Sequence, residues 1–575
     1  MKIKRIINEN PALLFAVAGL IAPFFLSDYV VGDILVKAMI FGLLAVSLDL
    51  AWGYTGILSL GHAAFFGFGA YLMGIVLLNW SSPFTMPVAI IIGILGPTLL
   101  AALVGLVLFY TKTSELYIAV FTLSLSILFP QLLLRVPQWT GGLNGLSGIP
   151  LFPFSVKEKY YFVFSIVIVV IFVLFKIVRS DFGRLLIAVR DNEDRIRSLG
   201  FNTAFIRLIA FTLSGAVSGF ASVLFPPQNG FISHSLPGFV TSTNAIVWTA
   251  IGGRGTLVGP FLGTVLINWI SPLLNAQFPH LWQLFLGLIF IAVIIVFPGG
   301  IYSLVLRFFP VLKKFSLIPR AFTSRSEEMC VLAIKDLKVG YGSLEVLRGI
   351  NYEVRSKQLQ CLIGPNGAGK STLVGAISGN IAPSAGQVLF GGIPLQRKSP
   401  QFITRKGLAR TFQTANLFDT LTVGENILLA TYRGNLPSIF HQTNCIQVPE
   451  SVNRIIELSG LQDKLSIPAS LLGHGERKWL ELILVLCTEP RMVLLDEPTA
   501  GLTTAERIEV GALLKELTQE AGLGLLLIEH DIDFVKSIAQ EIAVLVDGII
   551  IASGSVEQVV NNPKVNELYL GDIRS

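Results

Sequence analysis

Gly364-Pro365-Asn366-Gly367-Ala368-Gly369-Lys370-Ser371, followed by Thr372, fits the spacing G-x-x-x-x-G-K-[ST]. Glycines at these positions let backbone N–H groups crowd around phosphate oxygens, a lysine reaches the β/γ-phosphates, and the serine hydroxyl is placed to ligate Mg²⁺. The apolar run from Leu359 to Ile363 reads as the strand before this loop, and Thr372-Leu373-Val374 begins the helix whose N-terminus receives the anion. A nucleoside triphosphate and Mg²⁺ are therefore the expected ligands of the second half of the chain.

The half upstream is of another kind. Over 575 residues only 14% are charged, and the mean hydropathy is +0.69; soluble domains carry about 25% charged residues. The chain reads as a membrane protein with a soluble appendix. Its 43 basic and 37 acidic residues leave +6, a bias that fits cytoplasmic loops and not a nucleic-acid footprint, so no nucleic acid partner is expected. Cys330, Cys361, Cys445 and Cys487 show no metal or disulfide spacing and are expected to be reduced cytosolic thiols.

A membrane crossing takes about 20 apolar residues. Candidates lie near 11–27, 31–50, 62–80, 84–110, 116–135, 159–178, 207–227, 256–274 and 282–306, with 239–251 as a shorter stretch. Lys2, Lys4 and Arg5 precede an apolar run without a small-residue cleavage site, which reads as an uncleaved first span. The loop 179–207 carries Arg179, Arg184, Arg190, Arg195, Arg197 and Arg207, which places it in the cytoplasm. Putting the N-terminus and the basic tail Arg307, Lys313, Lys314 and Arg320 on the same side requires an even count, so 239–251 becomes a tenth span. The expected organisation is a transmembrane domain at 1–306, a basic linker at 307–330 and a nucleotide-binding domain at 331–575, with both termini cytoplasmic.

From Val331 short β-rich runs alternate with helical ones. Residues 331–336, 344–354, 359–363, 491–496, 524–529 and 541–546 read as strands of a mostly parallel sheet, and 414–490, read as free of strands, forms an inserted helical subdomain. Met492-Val493-Leu494-Leu495 delivers Asp496 and Glu497 to a strand end. Asp496 suits a Mg²⁺ ligand together with Ser371 and Gln413, and Glu497 suits the group that orients or deprotonates the attacking water. His530 ends another apolar strand and is placed to contact a γ-phosphate.

The order phosphate loop, Gln413, Leu472-Gly473-His474-Gly475-Glu476, Asp496-Glu497 and His530 resembles an ATP-binding-cassette domain over 331–575. The resemblance implies that Tyr341 stacks on adenine, that Gln413 links the site to the membrane domain, and that the Leu472–Glu476 signature closes over ATP on a second cassette, in a copy of this chain or a related subunit. Two departures stand out. Gly473 replaces the usual serine, and Thr503 replaces the usual aspartate of the following loop, so unequal hydrolysis at the two composite sites is an expectation.

Four motifs stand in the membrane half: Gly53-Tyr54-Thr55-Gly56-Ile57-Leu58-Ser59-Leu60-Gly61-His62, Thr140-Gly141-Gly142-Leu143-Asn144-Gly145-Leu146, Phe182-Gly183-Arg184, and Ile251-Gly252-Gly253-Arg254-Gly255-Thr256-Leu257-Val258-Gly259-Pro260. Together they resemble permease subunits of the branched-chain amino acid and urea importers. The glycine-interrupted segments read either as broken helices around a transport path or as close helix packing. Details such as Asp49-Leu50-Ala51-Trp52, Trp248 and His474 to Glu481 resemble the urea branch more. Fusion of permease and cassette is itself a departure from that group.

In the loop 179–207, Asp191 is expected to cap a short helix, with Gly200 ending it and Ile196 and Leu199 as its apolar face. This is the expected coupling helix, with Gly183, Arg184, Arg190, Asp191, Glu193 and Gly200 as its marks. Asn144, Gln228 and Asn244 are candidate solute contacts. Asp49, His62 and Glu115 are ionisable groups near or in spans; they read either as intramembrane groups, which are functional candidates by default, or as groups at interfaces. The resulting expectation is an ATP-driven importer in the cytoplasmic membrane for a small solute of the branched-chain amino acid/urea class, with urea slightly favoured and a branched-chain amino acid as the alternative. Its partners would be a second permease subunit, a second cassette, an extracytoplasmic solute-binding protein and membrane lipid. An exporter half-transporter and a non-transporting regulatory protein are the rivals; short loops argue against the first and Glu497 against the second.

Overall fold

The structure, a computed structural model, describes residues 12–111, 113–279, 281–297, 299–308, 315–321, 330–342, 344–519, 521–565 and 567. Lys2, Lys4, Arg5, Lys313 and Lys314 lie outside the described residues. The chain divides into two compact units: Met1–Arg190 with Ala204–Leu312, and Asp191–Thr203 with Lys313–Ser575.

Among the described residues of the first unit, six helices are long and apolar enough to cross a membrane: Val30–Thr55, Thr85–Tyr110, Glu115–Arg135, Val156–Arg179, Thr203–Asn229 and Val258–Gln277. Ala63–Asn79, Phe239–Gly252 and Trp282–Val296 are shorter helices over further stretches read as spans. Thr85–Tyr110 leaves Leu99, Leu103 and Leu106 exposed; water would oppose such a surface and hydrocarbon accepts it, which makes this a multi-pass membrane unit. The core gathers around Val36–Thr55, where Leu43, Leu44 and Leu48 pack with Phe66, Trp248 and Ile251.

The two glycine-interrupted segments meet. Val36–Thr55 ends at Gly56 in the left-handed region, φ +77°. A Cβ on Gly53 would lie 2.5 Å from the Gly255 nitrogen, so only glycine admits this approach. Asp49 fixes the contact by accepting hydrogen bonds from the N–H groups of Gly255 at 2.6 Å and Leu257 at 3.0 Å. Arg190 Nη1 donates to the Gly53 carbonyl at 2.7 Å. Asp49 and His62 are fully buried, His62 Nε2 lying 3.0 Å from Ser47 Oγ and 3.2 Å from Ser214 Oγ, whereas Glu115 is exposed and pairs with Arg207.

The second unit holds a six-stranded sheet in the order Ile549–Ser555, Glu541–Val546, Leu359–Ile363, Gly524–Ile528, Met492–Asp496, Leu408–Arg410. All neighbours are parallel except the edge pair Glu541–Val546 and Ile549–Ser555. The central strands are buried on both faces, which is why they read as mostly apolar runs, Gln360 being the polar exception in Leu359–Ile363. Leu344–Arg355, Val331–Tyr341, Ala385–Phe390 and Ile393–Pro394 form a separate antiparallel sheet.

One sequence expectation is overturned here. The insert at 414–490 does contain a strand, Cys445–Pro449, paired in parallel with Ser316–Arg320 from the stretch read as linker. Each run is five residues long and ends at or next to a proline, so neither carries a strand signal alone; they stabilise each other across more than a hundred intervening residues.

Cys330, Cys361 and Cys487 are buried and Cys445 is exposed. Burial pushes the Cys361 thiol upward and the Cys487 thiol up to about 12. Only a thiolate reacts readily, so a maleimide added to the folded chain at neutral pH is expected to label one cysteine, Cys445. Mass mapping checks this, and labelling of Cys361 at a similar rate counts against the packing.

Candidate functional site

The phosphate loop joins Leu359–Ile363 to the helix Lys370–Ile377. Gly367 and Gly369 adopt φ +85° and +102°, conformations that cost little only for glycine and that turn successive N–H groups inward. Lys370 Nζ donates to the carbonyls of Gly364 at 2.6 Å and Pro365 at 2.9 Å, which holds the ammonium across the loop. Burial draws its pKa below the ordinary range, and the charges of Glu497 and Asp496 oppose that shift. Ser371 is exposed in the first helical turn and Thr372 is half-buried behind it. Ala368 packs inward.

Strand pairing brings the carboxylates to the same edge. Met492–Asp496 lies beside Gly524–Ile528, so Asp496 and Glu497 emerge next to His530. Burial first, then the charge of Glu497, raises the Asp496 carboxyl, while Arg410, Lys478 and Lys370 hold it down. Glu497 sits at φ +48°, a strained backbone that marks a demanding position; its N–H donates to the Ile528 carbonyl at 3.0 Å. Gln413 Nε2 donates to Glu497 Oε2 at 3.4 Å, and His530 Nδ1 stands 4.0 Å from Glu497 Oε1. Gln413, Glu497 and His530 therefore converge. Tyr341 ends its strand with an exposed ring.

Gly473 is the N-cap of the helix His474–Cys487, and its N–H donates to Glu476 Oε2 at 2.9 Å. Lys464 bonds to Glu476 and holds its carboxyl below the ordinary range. The signature's first residue, Leu472, is buried, and Gly475 lies in the first helical turn. Thr503 and Glu506 form reciprocal bonds: the Thr503 N–H and hydroxyl donate to Glu506 at 2.7 and 2.8 Å, and the Glu506 N–H donates back at 3.3 Å. The threonine found where the family has aspartate is a helix cap in this unit.

The short helix expected in this loop forms at Glu193–Ser198, with one correction: its N-cap is Asn192, whose side chain accepts from the Arg195 N–H at 2.9 Å. Asp191 turns instead to the second unit's own insert, accepting from the Thr420 N–H at 3.1 Å and hydroxyl at 2.5 Å. Gly200 follows the helix at φ +92°, and its carbonyl accepts from Arg405 at 2.8 Å. Ile196 and Leu199 are buried. Glu193 accepts from Thr203 at 2.8 Å and from Arg197 at 2.5 Å. Gly183, Arg184 and Arg190 belong to the first unit, where Arg184 pairs with Asp181 at 2.6 Å in a buried contact.

Residue-by-residue reading missed how the helix Glu193–Ser198 is held. Arg195 is fully buried; its Nη2 donates to the Glu481 carbonyl at 3.1 Å and its Nη1 lies 3.8 Å from the Glu481 carboxylate. Glu481 also accepts from the Phe412 N–H at 2.8 Å, and Lys478 donates to the Gln413 carbonyl at 2.5 Å. A chain of contacts thus runs from the helix Glu193–Ser198 to the residue that touches Glu497. Burial raises the Glu481 carboxyl, and Arg195 is the leading opposing influence.

The candidate solute contacts do not share one environment. Gln228 is buried and donates to the Gly32 carbonyl at 2.8 Å, a tie within the first unit, whereas Asn144 and Asn244 are exposed.

A phosphate loop, a paired Asp496-Glu497, Gln413 and a signature helix on this sheet define an ATP-hydrolysing cassette fused to a membrane permease. The family model described as the permease component of the branched-chain amino acid transport system matches residues 30–294, and that of the ABC transporter matches 347–500. The chain belongs to the ABC transporter family, of the branched-chain amino acid transport type. Its cassette is similar to the high-affinity branched-chain amino acid transport ATP-binding protein BraF of Pseudomonas aeruginosa, 34% identical over 250 residues, which cover 42% of this chain and 98% of that protein. It is also similar to LivG of Escherichia coli, 34% identical over 252 residues with the same coverage, and to the probable LivG of Archaeoglobus fulgidus, 32% identical over 249 residues, covering 42% of this chain and 96% of that one. Among solved structures, the ADP conformation of an ATP-binding cassette of an ABC transporter is 29% identical, covers 42% of this chain and 100% of that chain, and gives a TM-score of 0.37.

Proposed function

We propose that this chain supplies one permease half and one ATPase of an importer for a small solute of the branched-chain amino acid/urea class. The observation that carries the reading is the continuity of a permease of this type, matched over 30–294, with a cassette whose Glu497 is met by Gln413. The relatives' names, which assign them to branched-chain amino acid transport, support the solute class, and the local resemblances at Asp49–Trp52 and His474–Glu481 keep urea within it.

In this reading the glycine-rich loop and Lys370 bind the ATP phosphates, Tyr341 faces the base, and Glu497 orients and deprotonates the attacking water. Ser371, Asp496 and Gln413 offer hydroxyl, carboxylate and amide oxygens, a hard donor set suited to Mg²⁺ shared with the phosphates. The cation would neutralise charge on the transferred phosphoryl group. His530 contacts the γ-phosphate. The signature helix closes over ATP on a second cassette, Asp191–Thr203 transmits that closure, and a second permease half and an extracytoplasmic binding protein complete the assembly in the cytoplasmic membrane.

The test is uptake of labelled leucine and labelled urea by cells with and without this chain, with Glu497→Gln as control. Loss of one uptake in both defects is expected and names the solute. Unchanged uptake of both overturns the reading.

A further inference from the structure

Two helices of the second unit, Val423–Thr431 and His474–Cys487, end in the same unusual way. Each is followed within two residues by a charged residue in the left-handed region, Arg433 at φ +51° and Glu489 at φ +49°. Glycine or asparagine is the low-cost choice there. A carboxylate at a helix C-terminus is also unfavourable against the helix dipole. Glu489 is nevertheless fully buried and bridges two arginines, Arg433 and Arg320.

These partners come from separate parts of the unit. Arg320 is the last residue of Ser316–Arg320, the strand seated against Cys445–Pro449. Arg433 precedes Gly434, whose carbonyl accepts from Arg405 at 2.6 Å, and the same guanidinium donates to Gly200 at the end of the coupling helix. Phe315, just before the strand, packs on Gly424 in Val423–Thr431. Strain and an adverse charge kept at one point imply a role beyond local stability.

We propose that Glu489 is a positioning residue that locks the linker strand to the 433–434 loop and thereby seats the coupling helix. The linker is a strap: it holds the receptor for the coupling segment in place while ATP is turned over. This goes beyond the transport reading, and none of its tests needs a transported solute.

Hydrogen exchange on the full-length chain tests it. Glu489→Gln is expected to speed exchange of amides in 193–200 at least tenfold, with Met492–Asp496 unchanged and ATP hydrolysis kept within twofold. Arg320→Ala should do the same, and the double variant should be no faster than either single one, since both break one link. Unchanged exchange at 193–200, equal acceleration in Met492–Asp496, loss of hydrolysis, or additive effects would each overturn the proposal. A second measurement does not depend on removing a buried charge. Ser316 is in register with the exposed native Cys445, and neighbouring strands place Cα atoms within disulfide reach. Ser316→Cys should form that disulfide under mild oxidation, at least tenfold more slowly when combined with Arg320→Ala. No disulfide, or equal rates, speaks against the strap.

Discussion

Glu497→Gln is expected to lower ATP hydrolysis by about 10²- to 10⁴-fold, the usual contribution of a positioned general base, while ATP binding stays within a few-fold. The amide matches the carboxylate in shape, keeps a partner for Gln413, which lies 3.4 Å from Glu497 Oε2, and cannot take a proton from water. The substitution also removes the charge that, after burial, does most to raise Asp496. Asp496 therefore shifts back toward the ordinary carboxylate range and remains ionised to hold a cation. Single-turnover hydrolysis and nucleotide binding measured on the same preparation separate the two quantities. Equal losses in both would mean that Glu497 shapes the nucleotide site instead of acting on water.

Arg195→Ala is expected to abolish solute uptake, by more than tenfold, with nucleotide binding by the phosphate loop within twofold. The variant leaves Glu481 buried without its main counter-charge, a defect that costs about 3–5 kcal/mol when one member of a buried pair is lost. Glu481 already titrates above its ordinary 4.5 because of burial. Without Arg195 it rises further. A carboxyl raised in the fold costs stability at pH values above its raised pKa and ceases to cost it once protonated. The melting-temperature deficit of Arg195→Ala should therefore shrink as pH falls toward 4.5.

A double variant, Arg195→Met with Glu481→Leu, separates stability from transmission. Replacing both members of a buried pair by apolar groups of similar size is often neutral, so the melting temperature should return while uptake does not. The Phe412 N–H, 2.8 Å from Glu481 in the native protein, loses its acceptor, and Gln413 loses its fixed position. Recovery of uptake with stability would show that Arg195 serves packing alone.

Much of the nucleotide site was legible because its signals are local. The phosphate loop is eight consecutive residues, Asp496-Glu497 follow one apolar strand, and His530 follows another. Such strands read clearly because both their faces are buried in a parallel sheet. Glycines at 53 and 255 flagged special backbone, but not that Gly53 packs on Gly255 with Asp49 as the clasp. The cap at Asn192 was misplaced by one residue because Asp191 is an equally good capping type, and its partnership with Thr420 is 229 residues away in sequence.

The sequence by itself determined the class of the protein, its order of membrane half before cassette, and the candidate residues of the nucleotide site, since these follow from short patterns whose chemistry is contained in a few neighbouring side chains. Only the tertiary structure decided how the segment Asp191–Thr203 is held. Arg195 and Glu481 are 286 residues apart. Arg320, Arg433 and Glu489 come from three separate elements, and the strands Ser316–Arg320 and Cys445–Pro449 exist through each other. A buried charge or a five-residue strand is stable only with its partner beside it, and which residue becomes that partner is settled when the chain has folded.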